Sequence, residues 1–190
     1  EVSESIYLNE IQNLKDEKIF PQDKNKILKY SSLENIDEIY DIYQQRLIEI
    51  NAVDFGDILL HSYFILTNHK DIQESHSNFI QHILIDEFQD TNLLQYDLIK
   101  LLLNNNQNLF CVGDDDQSIY AWRGAKIENI INFPNEFNCE VVRLTKNYRS
   151  NSAILEAASS VISNNKNRLG KNLESFNNEI PEQKINLKSF

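Results

Sequence analysis

The spacing of apolar positions changes character along the chain. Through the first fifty residues the pattern is helical and polar. Leu33, Ile36, Tyr40, Tyr43, Leu47 and Ile50 recur at three-and-four spacing, the mark of a helix with one buried stripe. Ser31 followed by Glu34 reads as a capping box at its start. Asp54 is placed to cap a second helix carrying Phe55, Ile58, Leu59, Ser62 and Leu66. The polar stretch Asn68–Asn78, with two histidines, reads as a loop or frayed connection.

After Phe79 short continuous apolar runs replace the stripes. Ile83-Leu84-Ile85 ends in two acids and predicts a strand buried on both faces. Thr91 or Asn92 is placed to cap a helix holding Leu93, Tyr96, Leu98, Ile99 and Leu102. Leu109–Val112 predicts a second buried strand, closed by Gly113 and three aspartates. A short helix around Ile127–Ile131 precedes Pro134, and Val141–Leu144 predicts a third strand. Ser150 or Asn151 then caps a helix through Ile154, Leu155, Ala158 and Ile162. Strands alternating with helices over short links predict an α/β fold with a parallel sheet and right-handed crossovers. Ligands of such sheets bind beyond the carboxyl ends of the strands. Here those ends are Asp86-Glu87, Asp114–Gln117 and Asn147–Arg149, so three polar clusters are expected along one rim. The final run, Ile185-Asn186-Leu187, alternates like the opening of a further strand.

Composition narrows the class. The 190 residues are 41% hydrophobic and 25% charged, which suits a folded chain rather than a disordered one. The densest apolar run, Leu98–Leu103, is short and interrupted by Lys100, far below the roughly 18 residues of a membrane span. No basic segment leads into an apolar one as in a signal peptide. Cys111 and Cys139 lie far apart without metal-ligand spacing; they predict buried thiols in a reducing cytoplasm. The net charge of −11 argues against indiscriminate nucleic-acid binding, but the charge is uneven. Between Cys139 and Asn172 six basic residues face two acids, leaving that stretch at +4 and the remainder at −15.

Candidate chemistry gathers at the strand ends. A carboxylate pair such as Asp86-Glu87 is a means of holding a hydrated Mg²⁺ and accepting a proton from an attacking water; a solvated strand end is the plainer alternative. Gly113–Ala125 places Gln117, whose amide can bond a water or a phosphate oxygen, close before Tyr120, the single tryptophan Trp122, and Arg123. Aromatic rings beside an arginine make a stacking platform for unpaired bases, though isolated aromatics more commonly fill cores. Arg149 in Lys146-Asn147-Tyr148-Arg149-Ser150 is placed to neutralise a transferred phosphoryl group, or else to decorate a helix entrance.

Together these segments resemble one family. Ile83–Asn92 (ILIDEFQDTN) is similar to helicase motif II of the UvrD/Rep/PcrA family of superfamily 1, Val112–Ala125 to its motif III, and Leu144–Ser150 to its motif IV. Val53–Leu60 resembles the family's D-F-x-D-L-L element, and Asn167–Asn172 the stretch leading into the second motor domain. The likeness runs from about Ile39 to the C-terminus. It implies a RecA-like P-loop NTPase architecture, with residues 1–52 ending a helical inserted subdomain, 53–172 forming the second half of the first motor domain, and 173–190 a linker and the start of the second.

The resemblance also implies roles. Asp86 organises Mg²⁺ with Glu87 beside it as general base, Gln117 senses the γ-phosphate of ATP, Tyr148 lies against the adenine, and Arg149 contacts the γ-phosphate. Trp122 stacks on single-stranded DNA, with Tyr120 and Arg123 in the same region. The implied activity is ATP-dependent 3′→5′ movement on single strands and duplex unwinding, in a cytoplasmic setting of repair or replication restart. Its partners are ATP, Mg²⁺, single-stranded and duplex DNA, and the rest of the helicase chain.

One element is missing from the pattern. No G-x-x-x-x-G-K-[S/T] loop occurs, and Gly170-Lys171-Asn172 lacks its hydroxyl and preceding glycine. With no methionine either, the chain reads as a middle piece of a longer protein, without ATPase turnover of its own. Two further readings stand beside this one: a non-catalytic truncated product retaining only single-strand or protein contacts, and a metal phosphohydrolase built on Asp86, Glu87 and Asp114–Asp116. The second leaves Trp122 and Tyr148 without a task.

Overall fold

A computed structural model describes residues 3–104, 108–165 and 168–176. Eight α-helices and four short strands are described: α1 (Glu4–Asp16), α2 (Lys24–Tyr30), α3 (Ile36–Glu49), α4 (Phe55–Asn68), α5 (Lys70–Phe79), β1 (His82–Ile85), α6 (Leu93–Leu102), β2 (Asn108–Cys111), α7 (Ile127–Glu136), β3 (Lys146–Asn147), α8 (Ser152–Ile162) and β4 (Glu174–Ser175). The mixture of helices and parallel strands is the expected α/β class. The Ile185–Leu187 run lies outside the described residues, as does most of the 173–190 segment. No helix among the described residues is long and apolar enough to cross a membrane.

Helices α1–α3 close around Ile11, Leu14, Ile19, Ile27, Ile36 and Tyr40. The stripe predicted for α3 is real at Ile36 and Tyr40, but the helix begins later than its supposed box. Ser31 ends α2, and its Oγ accepts from the backbone of Leu33 at 3.2 Å, while Asn35 takes a left-handed conformation before the first turn. The local hydroxyl–backbone bond competes with the box and wins. Asp54 does cap α4. Its side chain accepts from Asp57 N, and Asp57 returns a bond to Asp54 N, a complete capping box. Gly56 lets α1 approach this end of α4, since a Cβ there would lie 2.7 Å from the Gln12 amide and 2.9 Å from Lys15 Cδ.

Further sequence expectations are corrected. Asn68–Asn78 is mostly helix, not loop: α5 packs on α4 and α6, and Gln73 Nε2 donates to Leu101 O at 2.6 Å. Tertiary packing supports a helix that its own periodicity does not announce. Pro134 lies inside α7 rather than beyond it, because Phe133 packs on Phe88 at 4.9 Å and on Phe137 at 4.7 Å, carrying the helix through. Val141–Leu144 forms no strand, and all of its apolar side chains are exposed. The third strand is the following pair, Lys146–Asn147, which pairs in parallel with β4 in a separate two-stranded sheet.

Strands β1 and β2 are parallel neighbours in register Ile83↔Leu109 and Ile85↔Cys111. One face, with Ile85, Leu109 and Cys111, packs on Phe88, Tyr96 and Phe133 beneath α6 and α7. The other carries Leu84 and Phe110, which are 74% and 62% exposed, so the strands are not buried on both faces as their apolar runs suggested. Both cysteines are free and half-buried; burial pushes the Cys111 thiol up to about 12.

Candidate functional site

The adjacent ends of β1 and β2 deliver two acidic turns side by side. Beyond β1, Asp86 Oδ1 accepts from the backbone N–H of Glu87 at 2.9 Å, and Glu87 itself is left-handed (φ 50°). The chain then tightens into a 3-10 turn, Phe88–Asp90, before Asn92 caps α6 in a reciprocal box with Gln95. Beyond β2, Asp114 caps a 3-10 turn, Asp115–Gln117, accepting from Asp116 N at 3.0 Å.

The two turns are stitched together. Phe88 N donates to Val112 O at 3.0 Å, and Lys126 N to Thr91 O at 3.1 Å. Asn129 Nδ2 also reaches Thr91 O at 3.1 Å. Between these stitches the Gln89 side chain spans from Glu87 to Asp114. Asp86 and Glu87 are exposed and present oxygens to solvent. A hard cation that keeps most of its waters needs one or two such carboxylates, so this pair fits a hydrated Mg²⁺. Among the described residues no group of three or more metal-ligating side chains occurs, so the acids of the second turn do not add to it.

Those acids are engaged elsewhere. Asp116 receives Arg168 in a two-pronged pair at 2.8 and 2.6 Å, Asp115 Oδ2 accepts Leu169 N at 2.6 Å, and Lys171 Nζ lies 2.5 Å from Asp114 Oδ1. The other oxygen of Asp114 accepts the Gln117 amide at 2.7 Å. Burial pushes the Asp114 carboxyl up, but Lys171 and Gln117 outweigh it and hold the group below the ordinary carboxylate range. Sequence reasoning missed Arg168 and Lys171 as partners. The available signal was the basic stretch itself, which is opposite in sign to the acidic run.

Tyr120 and Trp122 follow, their rings 6.4 Å apart, and Trp122 is 70% exposed. Arg123 closes the same 3-10 turn, Ala121–Arg123. Trp122 borders a cleft with Phe55, Gly56, Gln12, Asp16 and Asn92, and Phe55 is exposed as well. The place of Phe55 in the cleft is a tertiary fact.

Tyr148 and Arg149 follow β3, in the second sheet. Asn147 Oδ1 accepts from both Arg149 N and Ser150 N, shaping the turn into α8, and the Tyr148 ring lies 4.7 Å from that of Phe176. Asp86, Glu87, Asp114 and Gln117 are thus brought together by direct neighbours. Among the described residues no hydrogen bond or ion pair joins Arg149 to them, and the Arg168–Lys171 segment, which runs on into β4, provides the link between the two sheets.

Comparison with known proteins agrees with the motifs. The profile of the UvrD/REP helicase N-terminal domain matches residues 2–138. The chain is 45% identical over 163 residues to "DNA helicase II" of Haemophilus influenzae, covering 86% of this chain and 22% of that protein. It is 46% identical over 137 residues to "DNA helicase II" of Escherichia coli (72% and 19%). It is 39% identical over 173 residues to "ATP-dependent DNA helicase PcrA" of Bacillus subtilis (90% and 23%). The chain spans about a fifth of the length of these curated relatives. With a profile match over most of its residues, and with the two motif-bearing turns packed against each other, the chain belongs to the UvrD/REP helicase family.

Proposed function

We propose that this chain is the segment of an ATP-dependent DNA helicase in which ATP hydrolysis is joined to the grip on single-stranded DNA. The supporting observation is the pairing of parallel β1 and β2, which sets Asp86-Glu87 against Asp114–Gln117 only a few residues before exposed Trp122. In this reading residues 53–172 are the second half of a RecA-like motor domain, 1–52 close a helical inserted subdomain, and 173–190 lead into a second motor domain. The setting is cytoplasmic, and travel is 3′→5′ as in the family the motifs resemble.

Asp86, with Glu87 adjacent, would hold Mg²⁺, which when bound screens phosphate charge. Glu87 takes a proton from the attacking water. Gln117 is a side-chain amide parked on Asp114, free to exchange that partner for a phosphate oxygen. Trp122 and Tyr120 stack on unpaired bases, with Arg123 on the same turn and Phe55 across the cleft. Tyr148 and Arg149 serve the adenine and γ-phosphate. The 190 residues contain no G-x-x-x-x-G-K-[S/T] sequence to cradle phosphates, so the isolated chain is expected to show negligible ATP turnover, and turnover sensitive to Glu87→Gln would contradict this.

Trp122 is the single tryptophan, so its emission reports one place. Titration with a single-stranded oligonucleotide at low salt is expected to quench it, with affinity falling as salt rises. An unchanged spectrum at saturating oligonucleotide would refute the DNA-facing assignment.

A further inference from the structure

Gln89 is 1% exposed although it stands between acids at the edge of the sheet. A buried primary amide is costly unless its groups are bonded, so its partners account for its place. Its Nε2 donates to Glu87 Oε2 at 2.8 Å, and its Oε1 accepts from the backbone N–H of Asp114 at 2.9 Å. The two ends of one amide therefore hold two different turns, one after each strand. The fit is close: a Cβ on Gly113 would lie 2.9 Å from Gln89 Oε1 and 3.3 Å from Phe88 N, so the second turn rests directly on the first. Glu87 also has a left-handed backbone, a conformation that a non-glycine residue keeps only when its surroundings over-determine it.

We infer that Gln89 is a positioning residue that fixes the Glu87 carboxylate and ties it to the turn carrying Asp114 and Gln117. Engaging Oε2 leaves Oε1 as the oxygen facing a proton donor. A shift of the Asp114–Gln117 turn, as when Gln117 leaves Asp114, passes through one rigid amide to Glu87. The consequence for hydrolysis rests on the reading of Glu87 as general base. The tether does not.

The test uses ¹⁵N spectra and amide exchange of the 190-residue chain. Glu87→Ala, at an exposed position, is expected to shift the Gln89 side-chain amide and the Asp114 N–H together. Gln89→Leu removes both bonds, and Asp114 N–H exchange should rise about fivefold to tenfold, the factor carried by one ordinary hydrogen bond. Gln89→Glu, followed at a pH high enough to ionise the new carboxyl, keeps an acceptor for Asp114 but loses the donor to Glu87. In that background Asp114 should stay protected and no longer respond to Glu87→Ala. Silence of Asp114 and Gln89 toward Glu87→Ala overturns the inference, and that arm decides alone if Gln89→Leu fails to fold. A response of Asp114 that persists undiminished in Gln89→Glu overturns it as well. Failure of DNA to quench Trp122 while these responses hold would count against the proposed function and leave the tether standing.

Discussion

Replacing Lys15 by methionine removes a charge while keeping most of the side chain's length. Lys15 is 0% exposed; its Nζ lies 2.7 Å from Asp54 Oδ2 and 2.7 Å from Asp57 Oδ1, and 5.2 Å from the centre of the Tyr43 ring. The two acids would fare differently without it. Asp54 keeps bonds from Tyr43 Oη at 2.9 Å and Asp57 N at 2.7 Å, and its side chain is a quarter exposed. Asp57 is 1% exposed, and the His61 imidazole lies 3.8 Å from its Oδ1. The ammonium reaches Asp57 Oδ1 at ion-pair distance without a directed hydrogen bond, so Coulomb attraction is what that oxygen loses. Stranding a buried carboxylate costs about 3–5 kcal/mol, against about 1 kcal/mol for the lost cation–π contacts. The first effect decides. Against a native stability of roughly 5–15 kcal/mol, Lys15→Met should bring urea unfolding, followed by circular dichroism at neutral pH, to a much lower midpoint. Adding Asp57→Asn should restore about 2 kcal/mol or more, because the stranded charge is gone. A single-variant loss below about 1 kcal/mol, or no rescue in the double variant, would refute the reasoning.

Other perturbations have equally definite outcomes. Gly113→Ala puts a methyl 2.8 Å from Ile130 Cδ1 and 2.9 Å from Gln89 Oε1; the former can rotate and the latter is locked, so about 1–3 kcal/mol of stability should be lost and Asp114 amide protection with it. Burial pushes the Asp16 carboxyl up to about 6, against the pull of the Gln12 hydrogen bond. The native state then holds a proton that the unfolded chain has released, so this group's contribution falls as pH rises from about 4 to 6. Asp16→Asn should therefore gain on the wild type by about 1–2 kcal/mol between pH 4 and pH 7 in paired urea titrations, a figure reduced for partial solvent screening. Asp114 and Asp97, held low by their lysine partners, contribute in the opposite sense and lose their effect on acidification; the wild-type comparison cancels them. Arg168→Ala removes the two-pronged pair on Asp116, and Leu169 amide exchange should quicken markedly, with 0.5 M salt added to the wild type acting in the same direction but more weakly.

What was legible in the chain was local. Asp54, and Thr91 or Asn92, could be named as caps because a cap sits directly beside the helix it starts, and the ends of β1 and β2 followed from short apolar runs stopped by acids. The motif segments, read by resemblance, named the right family for the same reason: each is continuous in sequence. What the fold alone decided involves groups remote along the chain. Nothing near Lys15 forecasts partners 39 residues away at Asp54, and nothing near Asp116 forecasts Arg168 at a separation of 52. Val141–Leu144 has the apolar content of a strand, yet hydrogen bonding chose the polar pair after it. The role of Gln89 depends on Asp114, 25 residues on, whose backbone N–H the fold brings within 2.9 Å of its amide oxygen. Period and capping are short-range physics, whereas pairing across strands, ion pairing and burial depend on which surfaces the folded chain sets against each other.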